Sequence, residues 1–292
     1  MSDLPVIDAA LVRALLAQQF PQWAALPVSE ASPQGWDNRT FRLGQHLAVR
    51  LPSAPGYAPQ VATEHRWLPW LAAHLPLPVP APVARGVPSA LFGWDWSVYR
   101  WLPGRPLGTA PEVALGALAV DLADFLAALR AVPADGGPRP GDHNGRRGAD
   151  FRVYAEEAAA AAAALDHPVA RRAPDWLAAA TASRWEGSPV WVHGDVAPGN
   201  LLVDDAGLCA VIDFGCVAVG DPACDLVPAW TVFDASSRPA FVTGVGLDPA
   251  TWARARGWAL WKAAITLASP PGAPERRLAE RTLAELLADD PG

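Results

Sequence analysis

Lysine is almost missing from this chain of 292 residues: Lys262 is the only one, and the other basic residues are arginines. Cysteine is also scarce, and Cys209, Cys216 and Cys224 lack the paired spacing of a metal site, which favours reduced thiols in a cytoplasmic protein. A basic excess is absent too, since the net charge is −7. Nucleic acid is therefore not expected as a partner, because phosphate backbones require a positive surface.

Long apolar runs are missing as well. The chain is 51% hydrophobic, but charged residues and 31 prolines interrupt its apolar stretches. Asp3 and Asp8 stand near the N-terminus, where a signal peptide would carry basic residues. We therefore expect neither a signal peptide nor a membrane span, and the length is sufficient for two lobes with cores of their own.

The most informative stretch is residues 191–225, with the sequence WVHGDVAPGNLLVDDAGLCAVIDFGCVAVGDPACD. Its two short apolar runs, residues 201–203 and 208–212, flank an Asp-rich turn, a pattern that predicts a β-hairpin. One run begins just after Asn200 and the other ends just before Asp213. The hairpin would carry both side chains to the same end of its strands.

The polar residues around this hairpin are those that phosphoryl transfer requires. Divalent ions must be held by oxygen ligands while a carboxylate orients the attacking hydroxyl. The order Asp195-x-x-x-x-Asn200, followed by DFG at residues 213–215, matches the catalytic half of the kinase signature. The pattern predicts that Asp195 accepts or orients the proton of a substrate hydroxyl. It predicts Asn200 and Asp213 as Mg²⁺ ligands.

The same stretch resembles the aminoglycoside phosphotransferase family, the small-molecule branch of the protein-kinase-like fold. The resemblance lies in His-Gly-Asp at residues 193–195, in Gly-Asp-Pro at residues 220–222 and in Asp225. The resemblance covers about residues 35–261. It implies an α+β, bilobal kinase-like fold, with a small antiparallel-sheet nucleotide-binding lobe at 1–102 and a larger, mainly helical catalytic and substrate-binding lobe at 103–292. It also implies Mg²⁺ as cofactor and ATP or GTP as phosphate donor.

Three residues of these motifs are expected to support the site. His193 is expected to be a packed, hydrogen-bonded loop histidine, not a general base. Asp225 is expected to receive loop hydrogen bonds and to hold the shape of the turn. Asp221 would either do the same or face the substrate, and the sequence leaves both roles open.

The N-terminal part offers counterparts of the family's nucleotide-binding groups. Arg50, in the return strand of a hairpin region predicted over residues 28–52, matches the strand-lysine position, and a guanidinium can grip phosphate oxygens bidentately. Glu64, in a helix predicted over 62–74, resembles the glutamate that pairs with the strand cation. The alternatives are a surface arginine and a first-turn glutamate that only complements the helix dipole. Pro69 is expected to kink or end this helix.

Further nucleotide contacts are predicted from position alone. Gly35 and Asn38 lie where a kinase glycine-rich loop would lie, although Asn38 could instead bond to its own loop. Tyr99, in a strand predicted over 94–101, would stand at the back of the adenine pocket, with an aromatic core strand as the alternative. The residues expected to offer backbone groups to a purine edge are Arg100, Trp101 and Leu102.

From residue 103 onwards the sequence predicts mostly helices, interrupted by a loop rich in glycine, proline and arginine at 133–148. Such loops often contact substrate, and this one is expected to be flexible and to lie at a rim. The predicted helices cover residues 111–131, 154–165, 171–182, 221–232, 236–242, 249–267 and 274–287.

Two absences favour a small-molecule acceptor over a protein. Gly194 stands where protein kinases carry an arginine, and the eleven residues between Asp213 and Asp225 contain no APE motif and are too few for a peptide-docking segment. The favoured acceptor is an aminoglycoside or related antibiotic, a cation that carboxylates would hold. The tryptophans considered as stacking surfaces are Trp94, Trp96 and Trp230.

Two alternatives remain at this point. The first is a metabolite kinase of the same fold that acts on choline, a sugar or homoserine. The second is a nucleotide-binding protein with little catalysis, in which Arg50 does not serve the phosphates. The sequence leaves open the preference between ATP and GTP, the hydroxyl that is modified and the oligomeric state.

Overall fold

The computed structural model describes residues 6–110, 113–268 and 274–290. The chain divides into two compact units, one formed by Met1–Pro103 with Ala210–Gly215 and the other by Gly104–Cys209 with Cys216–Gly292. The first is built on an antiparallel sheet and the second is mainly helical, which confirms the predicted α+β class. The assignment of nucleotide binding to residues 1–102 and of catalysis to residues 103–292 stays a prediction.

The first unit contains a five-stranded sheet with the strand order β1-β2-β3-β5-β4, and each neighbouring pair of strands is antiparallel. Its helices and strands are α1 (Ala9–Gln19), β1 (Val28–Glu30), β2 (Asn38–Leu43), β3 (Leu47–Pro52), α2 (Ala58–Ala72), β4 (Pro82–Gly86) and β5 (Trp96–Arg100).

The core of this unit lies between α1 and one face of the sheet. Alternate residues of a strand point to the same face, so Phe41 and Leu43 of β2 are both buried, and Val49 pairs with Phe41 across the hairpin. Leu15 of α1 packs into the same apolar cluster. The helix begins at a capping aspartate, Asp8, whose Oδ1 accepts from the Leu11 amide at 2.8 Å.

Pro69 was expected to kink or end its helix, and it does not end α2. The helix continues to Ala72 with Pro69 inside it, and it begins at Ala58, four residues earlier than predicted. Leu68 and Leu71 are buried on either side of the proline. Burial of an apolar face supplies most of a helix's stability, and here it outweighs the hydrogen bond that the proline removes.

The second unit combines helices with two small sheets of order β10-β7 and β6-β8-β9. The hairpin predicted around residues 201–212 is confirmed as β8 and β9. The last two residues of β9 belong to the first unit. The elements are β6 (Arg105–Pro106), α3 (Leu115–Ala131), α4 (Ala155–Ala163), α5 (Val169–Ala182), β7 (Val190–Val192), β8 (Leu201–Asp204), β9 (Gly207–Val211), β10 (Ala218–Gly220), α6 (Pro228–Thr231), α7 (Arg238–Val245), α8 (Pro249–Ala268) and α9 (Pro274–Ala288).

Several predicted boundaries in this unit are wrong. The helix predicted from residue 111 begins at Leu115, and its first two predicted residues lie outside the described ranges. The single helix predicted over 221–232 is a 3₁₀ turn, Pro222–Leu226, followed by α6. Pro228, which has no amide hydrogen to donate, stands at the start of the second piece.

The loop at 133–148 is held by hydrogen bonds, which corrects the expectation of a flexible rim. Asn144 is buried, and its Oδ1 accepts from the Gly141 amide at 2.9 Å while its Nδ2 donates to the Arg139 carbonyl at 3.2 Å. The Val219 amide of β10 also donates to the Pro138 carbonyl at 2.7 Å. The loop is therefore packed onto the small β10-β7 sheet.

No helix within the described ranges combines the length and the apolar character that a membrane-spanning helix needs.

We predict that Gly86→Ala lowers the free energy of unfolding of the protein. A β-carbon at Gly86 would lie 1.9 Å from Cε2 of Trp96, a buried ring of the core, so the strand or the ring would have to shift. Overpacking of this kind costs about 1–3 kcal/mol, which chemical denaturation resolves. The control is Gly56→Ala, because no described atom lies within 4 Å of that β-carbon. Equal losses for both variants would contradict the packing at Gly86.

Candidate active site

A tight turn after β7 sets the position of Asp195. Its glycine, Gly194, has φ +85°, a conformation that residues with a side chain rarely adopt. A β-carbon there would lie 2.5 Å from the Cys216 carbonyl oxygen and 2.8 Å from Cβ of Arg147. The turn therefore requires glycine both for its backbone conformation and for the close approach of its neighbours.

The Asp225 carboxylate holds this turn by accepting two backbone hydrogen bonds. Its Oδ2 accepts from the His193 amide at 2.6 Å, and its Oδ1 accepts from the Gly194 amide at 2.7 Å. Burial raises the pKa of the Asp225 carboxyl, while His193 and the two amide donors act in the opposite direction. Both carboxylate oxygens are thus committed to the shape of the turn.

His193 is fully buried within the turn. The Asp195 amide donates to His193 Nδ1 at 3.1 Å. A nitrogen that accepts a hydrogen bond carries no proton, so in this geometry the ring proton lies on Nε2. This is the geometry of a hydrogen-bonded loop histidine.

The Asp195 carboxylate is held on both oxygens. Lys262 Nζ forms an ion pair with Oδ1, and Asn200 Nδ2 donates to Oδ2 at 3.1 Å and to the Asp195 carbonyl at 2.9 Å. Burial opposes ionisation, but the charges of Lys262 and Arg147 and the hydrogen bond from Lys262 outweigh it and lower the Asp195 pKa to about 2. Asp195 is therefore an oriented anion at neutral pH and a weak base.

Asp221 forms a buried ion pair. Its Oδ2 accepts from Arg254 Nε of α8 at 2.7 Å, and both side chains are almost completely buried. Its Oδ1 accepts from the Ala223 amide at 3.0 Å, and Arg254 also donates to Ser183 Oγ at 3.1 Å. The sequence left open whether Asp221 supports the loop or faces the substrate. These contacts are those of a supporting residue, which ties the Gly-Asp-Pro segment at residues 220–222 to α8.

Lys262 and Arg147 were not assigned to the site from the sequence. Lys262 was noted only as the single lysine, yet Trp258, Trp261 and Lys262 stand at i, i+3 and i+4 of α8 and so share one helix face. That spacing predicts that the three residues share one face of the helix, but nothing in the local sequence indicates that this face contacts Asp195. Arg147 lies in the loop at 133–148, which the sequence expected to contact substrate.

In the first unit, Arg50 joins two carboxylates. Its Nη1 lies 3.2 Å from Glu64 Oε1, and its Nη2 lies 2.7 Å from Asp213 Oδ1. Tyr99 Oη donates to Glu64 Oε2, and the Arg50 guanidinium lies 5.6 Å from the centre of the Tyr99 ring. Arg50 is therefore not a surface arginine, and Glu64 is not merely complementing a helix dipole.

Asp213 has a strained backbone. Its φ is +68°, in the left-handed region that residues other than glycine seldom occupy. Such a conformation persists only where the surroundings impose it, and it is typical of functional positions. Here the Arg50 bond holds one carboxylate oxygen, while the side chain keeps 28% of its surface exposed.

The remaining residues that were predicted from their position in the sequence lie near the start of β2 and at the end of β5. The Gly35 carbonyl accepts from Arg39 Nη1 at 2.6 Å, and Asn38 is buried at the start of β2. The Arg100 amide donates to the Ala81 carbonyl at 2.9 Å, and the Trp101 amide donates to the His46 carbonyl at 2.8 Å. Of the backbone groups predicted for a purine edge, the Arg100 and Trp101 amides are therefore already used within the first unit.

Of the three tryptophans considered as stacking surfaces, Trp96 and Trp230 are buried in the cores, so the expectation is wrong for these two, while Trp94 is only partly buried. Trp96 is fully buried, and Trp94 packs against the same apolar cluster in the first unit. Trp230 is buried in the second unit, where its Nε1 donates to Asp289 Oδ2 at 2.9 Å. Large rings in short β-strands and helices are most often buried for their apolar area.

Among the described residues, no three or more histidine, cysteine, aspartate or glutamate side chains gather into a group that could hold a metal ion.

Comparisons with known proteins identify the family of this chain. The model of a family described as the phosphotransferase enzyme family matches residues 30–258, so the chain belongs to that family. A stretch of 82 residues is 35% identical to the DNA damage-responsive serine/threonine-protein kinase RqkA of Deinococcus radiodurans, covering 27% of this chain. The chain spans only 12% of the length of that relative.

Solved structures of phosphotransferases share the fold over almost the whole chain. The GDP and kanamycin complex of APH(2")-IIia has a TM-score of 0.73 at 19% identity and covers 95% of this chain and 97% of its own. The GDP complex of aminoglycoside 2'-phosphotransferase-IIIa has a TM-score of 0.72 at 20% identity, covering 97% and 98%. The macrolide 2'-phosphotransferase MphH from Brachybacterium faecium has a TM-score of 0.62 at 26% identity, covering 95% and 98%. The kinase-like fold and the family resemblance inferred from the sequence are thereby confirmed.

We predict that Arg50→Met lowers the free energy of unfolding by about 3–5 kcal/mol, because it leaves the buried Glu64 carboxylate without its cation. Arg50→Lys keeps the charge but loses the planar fork and is expected to lose less. The control is Arg85→Met, since Arg85 pairs with Asp95 but is 43% exposed, and exposed pairs contribute only about 0–1 kcal/mol. Urea denaturation measures all three. A loss for Arg50→Met no larger than that for Arg85→Met would contradict the role of the cluster.

Proposed function

We propose that this phosphotransferase moves the γ-phosphate of ATP or GTP to a hydroxyl group of a small molecule in a Mg²⁺-dependent reaction. The observation that carries the proposal is the Asp195 carboxylate, which Lys262 and Asn200 hold on a turn that Asp225 fixes. Membership of the phosphotransferase enzyme family supports it. The shortness of residues 214–224 favours a small molecule over a peptide as acceptor.

The proposed role of Asp195 is to orient the acceptor hydroxyl. A carboxylate with a pKa of about 2 removes a proton from an alcohol only when the alcohol is already losing it. Phosphoryl transfer suits such a weak base, because its transition state is loose and little charge has to develop on the attacking oxygen beforehand. The carboxylate then contributes by accepting the hydroxyl hydrogen bond and fixing the direction of attack.

Asn200 and Asp213 are the proposed ligands of Mg²⁺, and their chemistry fits the ion. Because the Asn200 amide nitrogen faces Asp195, its amide oxygen, the atom that a hard cation prefers, points away from that carboxylate. Asp213 uses one oxygen on Arg50 and remains partly exposed. When bound, Mg²⁺ would neutralise charge on the nucleotide phosphates.

The first unit supplies the proposed nucleotide-binding groups, within the predicted lobe at residues 1–102. Arg50 would meet the phosphates through its planar fork, with Glu64 and Tyr99 as the residues that orient it. Structural relatives are described as GDP or ADP complexes, which supports a purine nucleotide without choosing between ATP and GTP. The groups proposed at the loop and at the purine edge are Gly35, Asn38, Arg100, Trp101 and Leu102, of which the Arg100 and Trp101 amides are already used.

The acceptor class follows first from the relatives. Those compared are described as aminoglycoside and macrolide phosphotransferases, so an antibiotic hydroxyl is a natural choice for this chain. A metabolite kinase of the same fold remains the alternative, because the relatives that act on antibiotics share the fold at low sequence identity. The residues proposed to bind the acceptor lie in the predicted lobe at 103–292, around Asp195.

We predict that Asp195→Asn abolishes phosphotransfer but leaves nucleotide binding almost unchanged. The amide keeps the shape of the side chain but is a far poorer hydrogen-bond acceptor for the hydroxyl, so kcat should fall by about 10²–10⁴-fold. Release of ADP or GDP with Mg²⁺ and a panel of antibiotics and metabolites measures turnover, and calorimetry measures nucleotide affinity. Equal slow nucleotide hydrolysis by wild type and variant on every acceptor would indicate a nucleotide-binding protein without this activity.

A further inference from the structure

A small cavity opens beside Asp195 in the second unit. Its wall is made by the turn, by the loop at 133–148 and by the face of α8 that carries Trp258, Trp261 and Lys262. The residues that matter here are Gly194, Asp195, Arg147, Trp258, Trp261 and Lys262. Because Asp195 is itself part of this wall, an acceptor whose hydroxyl reaches its carboxylate comes close to the other residues of the wall.

Arg147 packs against the turn and against two tryptophans of this wall. Its stem packs over Gly194, and its guanidinium lies 5.4 Å from the centre of the Trp258 ring and 5.2 Å from that of Trp261. The two rings meet edge to face at 84°, so they form a corner around the cation. Tyr154 stacks on Trp261 at 4.0 Å and supports the corner from behind.

Among the described residues Arg147 forms no ion pair, and its hydrogen bond is a long one of 3.4 Å to the Gly145 carbonyl. Its charge does act on the Asp195 carboxylate, with which Lys262 is paired. Glu157, which touches the same aromatic wall, accepts from Trp261 Nε1 at 2.7 Å. Most of the guanidinium's donors are therefore available to a bound molecule.

The charged groups of the cavity wall are two cations and one carboxylate. Lys262 pairs with Asp195, and Arg147 also acts on that carboxylate, so these three groups carry a net charge of +1. A planar guanidinium matches the two oxygens of a carboxylate bidentately. An ammonium group placed here would meet this net positive charge, which disfavours a cationic group.

The geometry points to an acceptor that carries a carboxylate near its reactive hydroxyl, with Arg147 as the residue that selects for it. This inference rests on the proposed function, since it concerns the acceptor of the same site. It departs from the expectation of a cationic aminoglycoside, because the wall beside Asp195 carries net positive charge. One positive charge balances one negative charge, so the structure favours a monoanionic carboxylate over a phosphate.

The test uses three probes that differ only in charge: 4-(hydroxymethyl)benzoate, 4-(hydroxymethyl)benzamide and 4-(hydroxymethyl)benzylamine. Each carries the same ring and primary alcohol, with an anionic, neutral or cationic group opposite. Dissociation constants are measured by NMR titration of the wild-type protein without nucleotide. We expect the benzoate to bind at least about tenfold more tightly than the benzylamine, a factor that corresponds to about 1.4 kcal/mol. Equal or tighter binding of the benzylamine would overturn the inference.

The variant Arg147→Gln tests which residue is responsible. It should reduce the preference for benzoate over benzylamine to near unity, and Arg147→Lys should retain part of it. The matched control is Arg146→Gln, since Arg146 is exposed and pairs with Asp142 outside the cavity, and it should leave the preference unchanged. A preference that survives in Arg147→Gln would overturn the assignment, as would a loss of nucleotide affinity equal to the loss of benzoate affinity.

The two proposals fail in different ways. Probe binding is measured without turnover, so a benzoate preference with no phosphotransfer to any acceptor would contradict the proposed function and leave only the charge preference assigned to Arg147 standing. Turnover on aminoglycosides with no preference for benzoate would contradict this inference and leave the phosphotransferase function standing. The wild-type comparison requires no substitution, so it remains decisive even if an Arg147 variant does not fold.

Discussion

The two hydrogen bonds from the His193 and Gly194 amides to the Asp225 carboxylate are the constraint on which the site depends. They fix a turn that only glycine can form at its second position, because of its positive φ and because neighbouring atoms fill the space of a β-carbon. The next residue is Asp195, whose amide bonds back to His193. The position of the central carboxylate is thus set by the backbone, and its ion pair only has to hold the side chain.

The arginines and the lysine of these ion pairs differ in the shape of their charged groups, and each makes the contacts that its shape allows. The planar fork of Arg50 reaches Glu64 with one nitrogen and Asp213 with the other, which a compact ammonium does less well. Arg254 ties Asp221 to α8 in the same way. The only lysine stands at Asp195, where a point charge neutralises one carboxylate oxygen and leaves the other to Asn200.

Local patterns predicted much of this arrangement. The hairpin of β8 and β9 follows from two apolar runs around a turn, and Asn200 reaches Asp195 because only five positions separate them. The pairing of Arg50 with Glu64 followed from the family resemblance and agrees with the contacts. The sequence could not show that α8, more than fifty positions later, brings Lys262 to Asp195, because that contact depends on how the helices pack. For the same reason the sequence analysis considered Trp96 and Trp230 as stacking surfaces, because their burial depends on tertiary packing. It also considered only the local cost of Pro69 in the helix, which the buried face of α2 outweighs.

The central claim is that Asp195 orients a hydroxyl for direct attack on the γ-phosphate and does not itself become phosphorylated. The stereochemical course at phosphorus tests this most directly, with a nucleotide whose γ-phosphate is made chiral by oxygen isotopes and with any acceptor that turns over. Direct in-line transfer to the acceptor inverts the configuration, which is the result that the account predicts. Retention would indicate two successive displacements through a phosphorylated enzyme group, and it would contradict the proposed role of Asp195.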